Sequence, residues 1–184
     1  MEGYFWMLGV YFEPQYSFGR EILTKVTAIM SIMDDIYDSY GTIEELQLLT
    51  NVIQRWDVDC INQLPDYLKL FYKSLLDVYK EVEEAMAKQG QSYRIKYTIN
   101  KFKQLSANYF AEVKWYHKNY IPTIEEYMEV GLTSAATSVL NVTSLVGMED
   151  ALTPEIFNWA FNNPKIIVVG SIHARLFDDM YGKI

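Results

Sequence analysis

Cysteine and histidine are nearly missing from this chain: among 184 residues there are one cysteine and two histidines. Cys60 alone cannot close an internal disulfide, which points to a reducing compartment, read here as the cytoplasm. Even with His117 and His173 it does not furnish the Cys and His ligands that a structural zinc site uses. No run of eighteen apolar residues occurs, so no segment reads as a membrane span. Basic residues are in the minority, 16 Lys and Arg against 24 Asp and Glu, for a formal charge of −8. Nucleic acid is therefore not expected as a partner, because phosphate backbones are held by basic surfaces. A cationic ligand or a metal–phosphate complex fits that charge better. Alternating strand-like runs, internal repeats, low-complexity tracts and a basic leader are absent too.

What is present is apolar and aromatic. Half of the residues are hydrophobic and 15% are aromatic, including 15 tyrosines, enough for one domain with a substantial core. After Pro65, Leu68, Phe71, Tyr72, Leu75, Tyr79, Val82 and Met86 recur at three- and four-residue spacing, the mark of an amphipathic helix, and Gly90 sits where its cap is expected. The pattern predicts further helices over about 18–40, closed by Gly41, and over about 93–118. Another begins at Thr42-Ile43-Glu44-Glu45. One is expected from a capping box at Thr123-Ile124-Glu125-Glu126 to about Val146. Thr153-Pro154 and Asn163-Pro164 open two more, with proline at the first helical position. The fold class is all-α, built of long helices joined by short loops.

The most informative residues are Asp34, Asp35 and Asp38. On a helix, Asp34 and Asp38 share a face and Asp35 flanks them. They follow the apolar Val26, Ile29, Met30 and Met33, at the helix end where the dipole disfavours anions. Mutual repulsion adds to that penalty, and a bound cation relieves both. The plain alternative is a solvated acidic helix end. Neither an EF-hand loop nor a Glu-x-x-His pair is present, and carboxylates alone suit magnesium or manganese. Magnesium completes its shell with water and substrate phosphates, which points to a diphosphate. Near the chain end, Arg175, Asp178, Asp179 and Gly182 form a second stripe at i, i+3, i+4 and i+7. That stripe reads either as a surface Arg–Asp pair or as the far side of a metal–diphosphate clamp.

Asp34-Asp35-Ile36-Tyr37-Asp38 resembles the aspartate-rich DDxxD motif of class I terpene synthases. Gly3-Tyr4-Phe5-Trp6, Gly9 to Tyr16, Gln54-Arg55-Trp56-Asp57 and Leu64-Pro65-Asp66-Tyr67 are similar to the plant sesquiterpene synthase branch, and the likeness runs from end to end of the chain. Prenyl chain-elongating enzymes carry a second DDxxD, whereas the later site here reads Asp178-Asp179-Met180-Tyr181-Gly182. It resembles the family's NSE/DTE motif, with Gly182 at the Ser/Thr position. The resemblance implies that residues 1–184 are part of a metal-binding catalytic domain, a class I helical bundle truncated at both ends. By that reading Met1 is internal, and an α-barrel domain and closing helices belong to the longer protein, a monomer.

The same resemblance implies that three magnesium ions, with manganese as a substitute, are held by Asp34, Asp38 and Asp178, while Asp35 and Asp179 belong to the motifs behind them. Arg175 is implied to bind the substrate diphosphate and Trp6 to line the pocket. The stretch from Gly131 to Thr137 matches a kinked helix whose carbonyls and small side chains, Ser134 among them, face the substrate. The implied activity is a lyase that ionises farnesyl diphosphate, releases diphosphate and cyclises the carbocation. A monoterpene synthase using geranyl diphosphate and a helical domain without turnover are the two alternatives.

Overall fold

Two helix starts carry the capping boxes written in their sequences. The Glu45 amide donates to Thr42 Oγ1 at 3.3 Å while Glu45 Oε2 accepts from the Thr42 amide at 3.0 Å. Thr123 and Glu126 repeat the exchange at 3.3 and 2.8 Å. Each pair satisfies amides that a helix N-terminus leaves without partners. The computed structural model describes residues 2–148 and 152–181. Its helices are α1 (Glu2–Met7), α2 (Ser17–Asp35), α3 (Ile43–Arg55), α4 (Asp66–Lys88), α5 (Ile95–His117), α6 (Ile124–Ser134), α7 (Thr137–Val146), α8 (Pro154–Phe161) and α9 (Lys165–Tyr181). Short 3-10 turns lie at Pro14–Tyr16, Val58–Gln63 and Ser92–Arg94, and no strand occurs among the described residues.

The stripe read after Pro65 is buried in full along α4, from Leu68 to Met86. Three features depart from the pattern reading. Helix α1 carries no periodic signal long enough to announce it. The helix expected to reach Tyr40 changes at Ile36–Tyr40 into a π-turn, in which the Gly41 amide donates to Ile36 O at 2.9 Å. The helix expected from Thr123 to Val146 is two helices, because Ala136 adopts φ 60° and interrupts it. The resemblance had implied a kink there, and the chain breaks outright.

Helix α5 occupies the centre, packed on α3, α6 and α7; α2 packs on α4 and α7, and α9 lies across α6 and α7. The core between them is apolar, with Met33, Leu49, Leu68, Leu75, Phe102, Leu105, Val139 and Val142 all buried. Five of the tyrosines, Tyr37, Tyr72, Tyr79, Tyr97 and Tyr109, are buried in it. Tyr37 pairs with Thr50 Oγ1 at 2.7 Å and Ser106 Oγ at 3.0 Å, and Tyr72 donates to Val52 O at 3.0 Å. Trp56, Tyr79 and Phe102 meet edge to face with centroids 5.0–6.0 Å apart, each pair adding about 0.5–1.5 kcal/mol beyond burial. Two buried cations tie the far end: Arg94 donates to Val146 O and Met148 O at 3.1 and 2.6 Å, and Lys101 to Asn163 Oδ1 at 2.7 Å.

Candidate active site

Along α2, the residues Thr27, Met30, Ser31 and Asp34 recur at helical spacing and face one pocket, while Met33 turns into the core. The π-turn keeps Asp38 on the same wall. Such a wide turn is rare and costs regular hydrogen bonding, so it persists where the surroundings over-determine it; here Tyr37, buried and hydrogen-bonded twice, anchors it. Helix α5 contributes Tyr109 and Glu112, the broken α6–α7 junction contributes Ser134, Ala135 and Ala136, and α9 contributes Ala174, Arg175 and Asp178. The pocket measures ≈ 570 Å³, within the ~300–1,000 Å³ usual for small-molecule sites.

The pocket is strongly acidic. Four carboxylates, Asp34, Asp38, Glu112 and Asp178, face one guanidinium among its lining residues. Asp34 titrates above the ordinary carboxylate range because of burial, and the charges of Asp178 and Asp35 push the same way. A hydrogen bond from Tyr109 and the charge of Arg175 oppose the shift. Asp38 is raised by burial, then by Asp34, Asp178 and Asp35, again against Arg175. Glu112 is raised by burial, with Ser134 and Arg175 holding it down. Carboxylates that share one space make each other harder to ionise, and a bound cation would relieve that repulsion.

Arg175 is held in its charged form. Burial disfavours the charge, and the Asp179 hydrogen bond with the surrounding anions outweighs it. Its Nη2 donates to Asp179 Oδ1 at 2.6 Å and to Asp178 Oδ2 at 2.9 Å, and Nε donates to Asp179 Oδ1 at 3.1 Å. Asp179 also accepts from Tyr127 Oη at 2.7 and 2.6 Å.

Asp34, Asp38, Ser134, Arg175 and Asp178 thus come together on one pocket although the sequence separates them by up to 144 positions, 34 to 178. Three named candidates stand elsewhere. Asp35 is exposed beside the pocket, and Asp179 lies behind Arg175. Trp6 is 58% exposed on α1 and is not part of the pocket wall. Gly182 lies outside the described residues. Sequence reasoning passed over Tyr109, Glu112 and Tyr127. Glu112 carried the same signal as Asp34, a carboxylate inside the apolar run Tyr109-Phe110-Ala111-Glu112-Val113.

An all-oxygen donor set fits magnesium or manganese. Among the described residues no three acidic, His or Cys side chains close around a point as a complete ligand cage. That arrangement also fits magnesium, which takes one or two protein carboxylates and fills its shell from water and phosphate oxygens.

Residues 1–183 match the family model described as "Terpene synthase family, metal binding domain". The chain is 54% identical over 180 residues to the "Probable terpene synthase 2" of Ricinus communis, covering 98% of this chain and 33% of that protein. It is 52% identical to the "Sesquiterpene synthase 2" of Toona sinensis, again covering 98% of this chain and 32% of the relative. The fold superposes with a TM-score of 0.86, at 32% identity, on isoprene synthase from grey poplar leaves, a structure in complex with three Mg2+ ions and dimethylallyl-S-thiolodiphosphate. That match covers 92% of this chain and 32% of the synthase. The chain therefore spans about a third of the length of these relatives.

Proposed function

This chain belongs to the metal-binding domain family of terpene synthases, and from that premise we propose that it binds a prenyl diphosphate with magnesium and ionises it. The observation that carries the reading is the convergence of Asp34 and Asp38 with Asp178, from separate helices, on one pocket that also holds Arg175. Asp34 and Asp38 from α2 and its π-turn, with Asp178 from α9, are the residues that would hold divalent metal. Bound there, magnesium supplies Lewis-acid neutralisation of the charge that collects on a departing diphosphate. The residues' own work is positional. Arg175 offers a charged donor to the diphosphate oxygens. Met30, Ala135, Ala136 and Ala174 give the neighbouring wall an apolar character that keeps an allylic cation from water. Tyr109, the aromatic member of that wall, presents a ring on which a cation gains about 0.5–2 kcal/mol.

The substrate we favour is farnesyl diphosphate, supported by the similarity to the sesquiterpene synthase of Toona sinensis. Its cyclisation would follow ionisation. The test is to supply the purified chain with farnesyl or geranyl diphosphate and magnesium, and to analyse the headspace for hydrocarbons, with Asp34→Ala alongside. A magnesium-dependent C15 hydrocarbon lost in the variant supports the reading. Turnover indifferent to Asp34 overturns the site. Product from geranyl diphosphate alone reassigns the substrate, and silence with both describes a domain that keeps the fold without turnover.

A further inference from the structure

Arg175 does not stand freely on α9; it is seated on α6. Gly131 faces its stem so closely that a Cβ at that position would lie 3.2 Å from Arg175 Cδ and 3.3 Å from Cγ. One turn earlier, the Tyr127 ring lies 5.8 Å from the guanidinium carbon. The Tyr127 hydroxyl donates to both oxygens of Asp179, at 2.7 and 2.6 Å. Asp179 in turn receives Nε and Nη2 of Arg175 at 3.1 and 2.6 Å. The stem is therefore set by a missing side chain and the head by a carboxylate that a phenol holds in place. Only 16% of the Arg175 side chain is exposed.

We propose that Gly131 and Tyr127 are positioning residues for Arg175, fixing its guanidinium at the pocket wall and thereby setting how tightly the chain holds a metal-bound diphosphate. An arginine carries large rotamer freedom, and a donor already fixed in place binds without losing it again. Gly131 suits the task because any larger residue shifts the stem. The head cannot follow freely, since Asp179 is itself oriented by Tyr127. The inference rests on the diphosphate reading above and adds the residues that act through Arg175.

Gly131→Ala and Tyr127→Phe test it, with the full chain, by titration calorimetry using magnesium alone and then inorganic diphosphate in saturating magnesium. Alanine is a better helix former than glycine, so Gly131→Ala should melt at or above the wild-type temperature. Its diphosphate affinity should nevertheless fall about tenfold, the scale of a displaced charge-assisted hydrogen bond. Tyr127→Phe should lower the affinity in the same direction. Magnesium affinity measured without diphosphate should change less than the diphosphate affinity in both, because Asp34 and Asp38 are untouched and only Asp178, 2.9 Å from Arg175 Nη2, adjoins the moved group. A merely structural role would move the melt and leave the affinity alone. Wild-type diphosphate affinity in folded Gly131→Ala and Tyr127→Phe overturns the proposal while the function stands. A wild-type chain that takes up no diphosphate, like its Asp34→Ala control, overturns both. Should Gly131→Ala not fold, Tyr127→Phe, which keeps the ring, decides by the same affinities.

Discussion

Ser134 donates its hydroxyl hydrogen to Glu112 across 2.6 Å, so a carboxylate on α5 closes the end of α6 where that helix breaks. The same Glu112 oxygen lies 4.0 Å from Arg175 Nη1, and the break, the central helix and the arginine of α9 meet at one atom. Ser134→Ala removes the hydroxyl that this junction turns to Glu112 and leaves a part-buried carboxylate with less compensation. We expect a loss of about 1–3 kcal/mol, as for hydrogen bonds to charged groups, read from urea unfolding of variant and wild type. An unchanged midpoint would show that water replaces the serine at no expense.

Asp34 and its neighbours repel one another in the absence of a cation. Asp34→Asn should therefore leave the metal-free melting temperature unchanged or raise it. Magnesium should raise the melting temperature of the wild type, by preferential binding to the folded state, and raise that of the variant less. Equal magnesium responses in the two proteins would take Asp34 out of the metal site.

Lys101 is 1% exposed, and burial lowers its pKa from 10.5 to about 8. The folded chain therefore holds fewer protons than the unfolded chain between about pH 8 and 10.5, and the Lys101 contribution to stability rises with pH across that window. Tyr37 and Tyr72 act the other way. Burial lifts both to about 12, so their contribution falls as pH climbs above 10. Equilibrium unfolding at stepped pH should show stability rising from pH 8 toward 10 and then declining. Lys101→Met should flatten the rising limb.

Ala136 holds φ 60°, a left-handed conformation that costs an L-residue roughly 1–2 kcal/mol. Ala136→Val adds a branched side chain to that strain and should destabilise the chain by about 2 kcal/mol or more. Ala136→Gly, which meets no steric penalty there, should stay within about 1 kcal/mol of wild type. Comparable losses in both variants would locate the effect in the pocket lining instead of the backbone.

The architecture was legible wherever local chemistry and burial agree. The stripe of α4, both capping boxes and the aspartates set into an apolar run all follow from spacing within a few residues. Asp178 and Arg175 were legible as a stripe, but their meeting with Asp34 depends on how α9 crosses α6 and α7. The Arg175–Asp179 pair was legible at i, i+4, but the seat beneath it was not, since Tyr127 lies 52 residues from Asp179 and nothing in its own helix marks it out. The break at Ala136 hides for a different reason. Alanine is the best helix former, so only tertiary packing can place one in a left-handed turn. The π-turn likewise has no side-chain signature, because Ile36 to Tyr40 extend the pattern of α2 without a glycine or proline.

That π-turn makes the segment sensitive to length. Over Ile36–Tyr40 the backbone hydrogen bond spans one residue more than in an α-helix. Deleting a single residue there would remove the one that the wide turn absorbs, so the coil would tighten into the regular form and the side chains inside the turn would change direction. Asp38 would swing off the wall it shares with Asp34, and Tyr37 would leave Thr50 and Ser106 behind. Ser39 and Tyr40 are exposed, so their identities can drift while their number cannot. Lineages descending from this chain should accumulate substitutions at those two sites and almost no gaps.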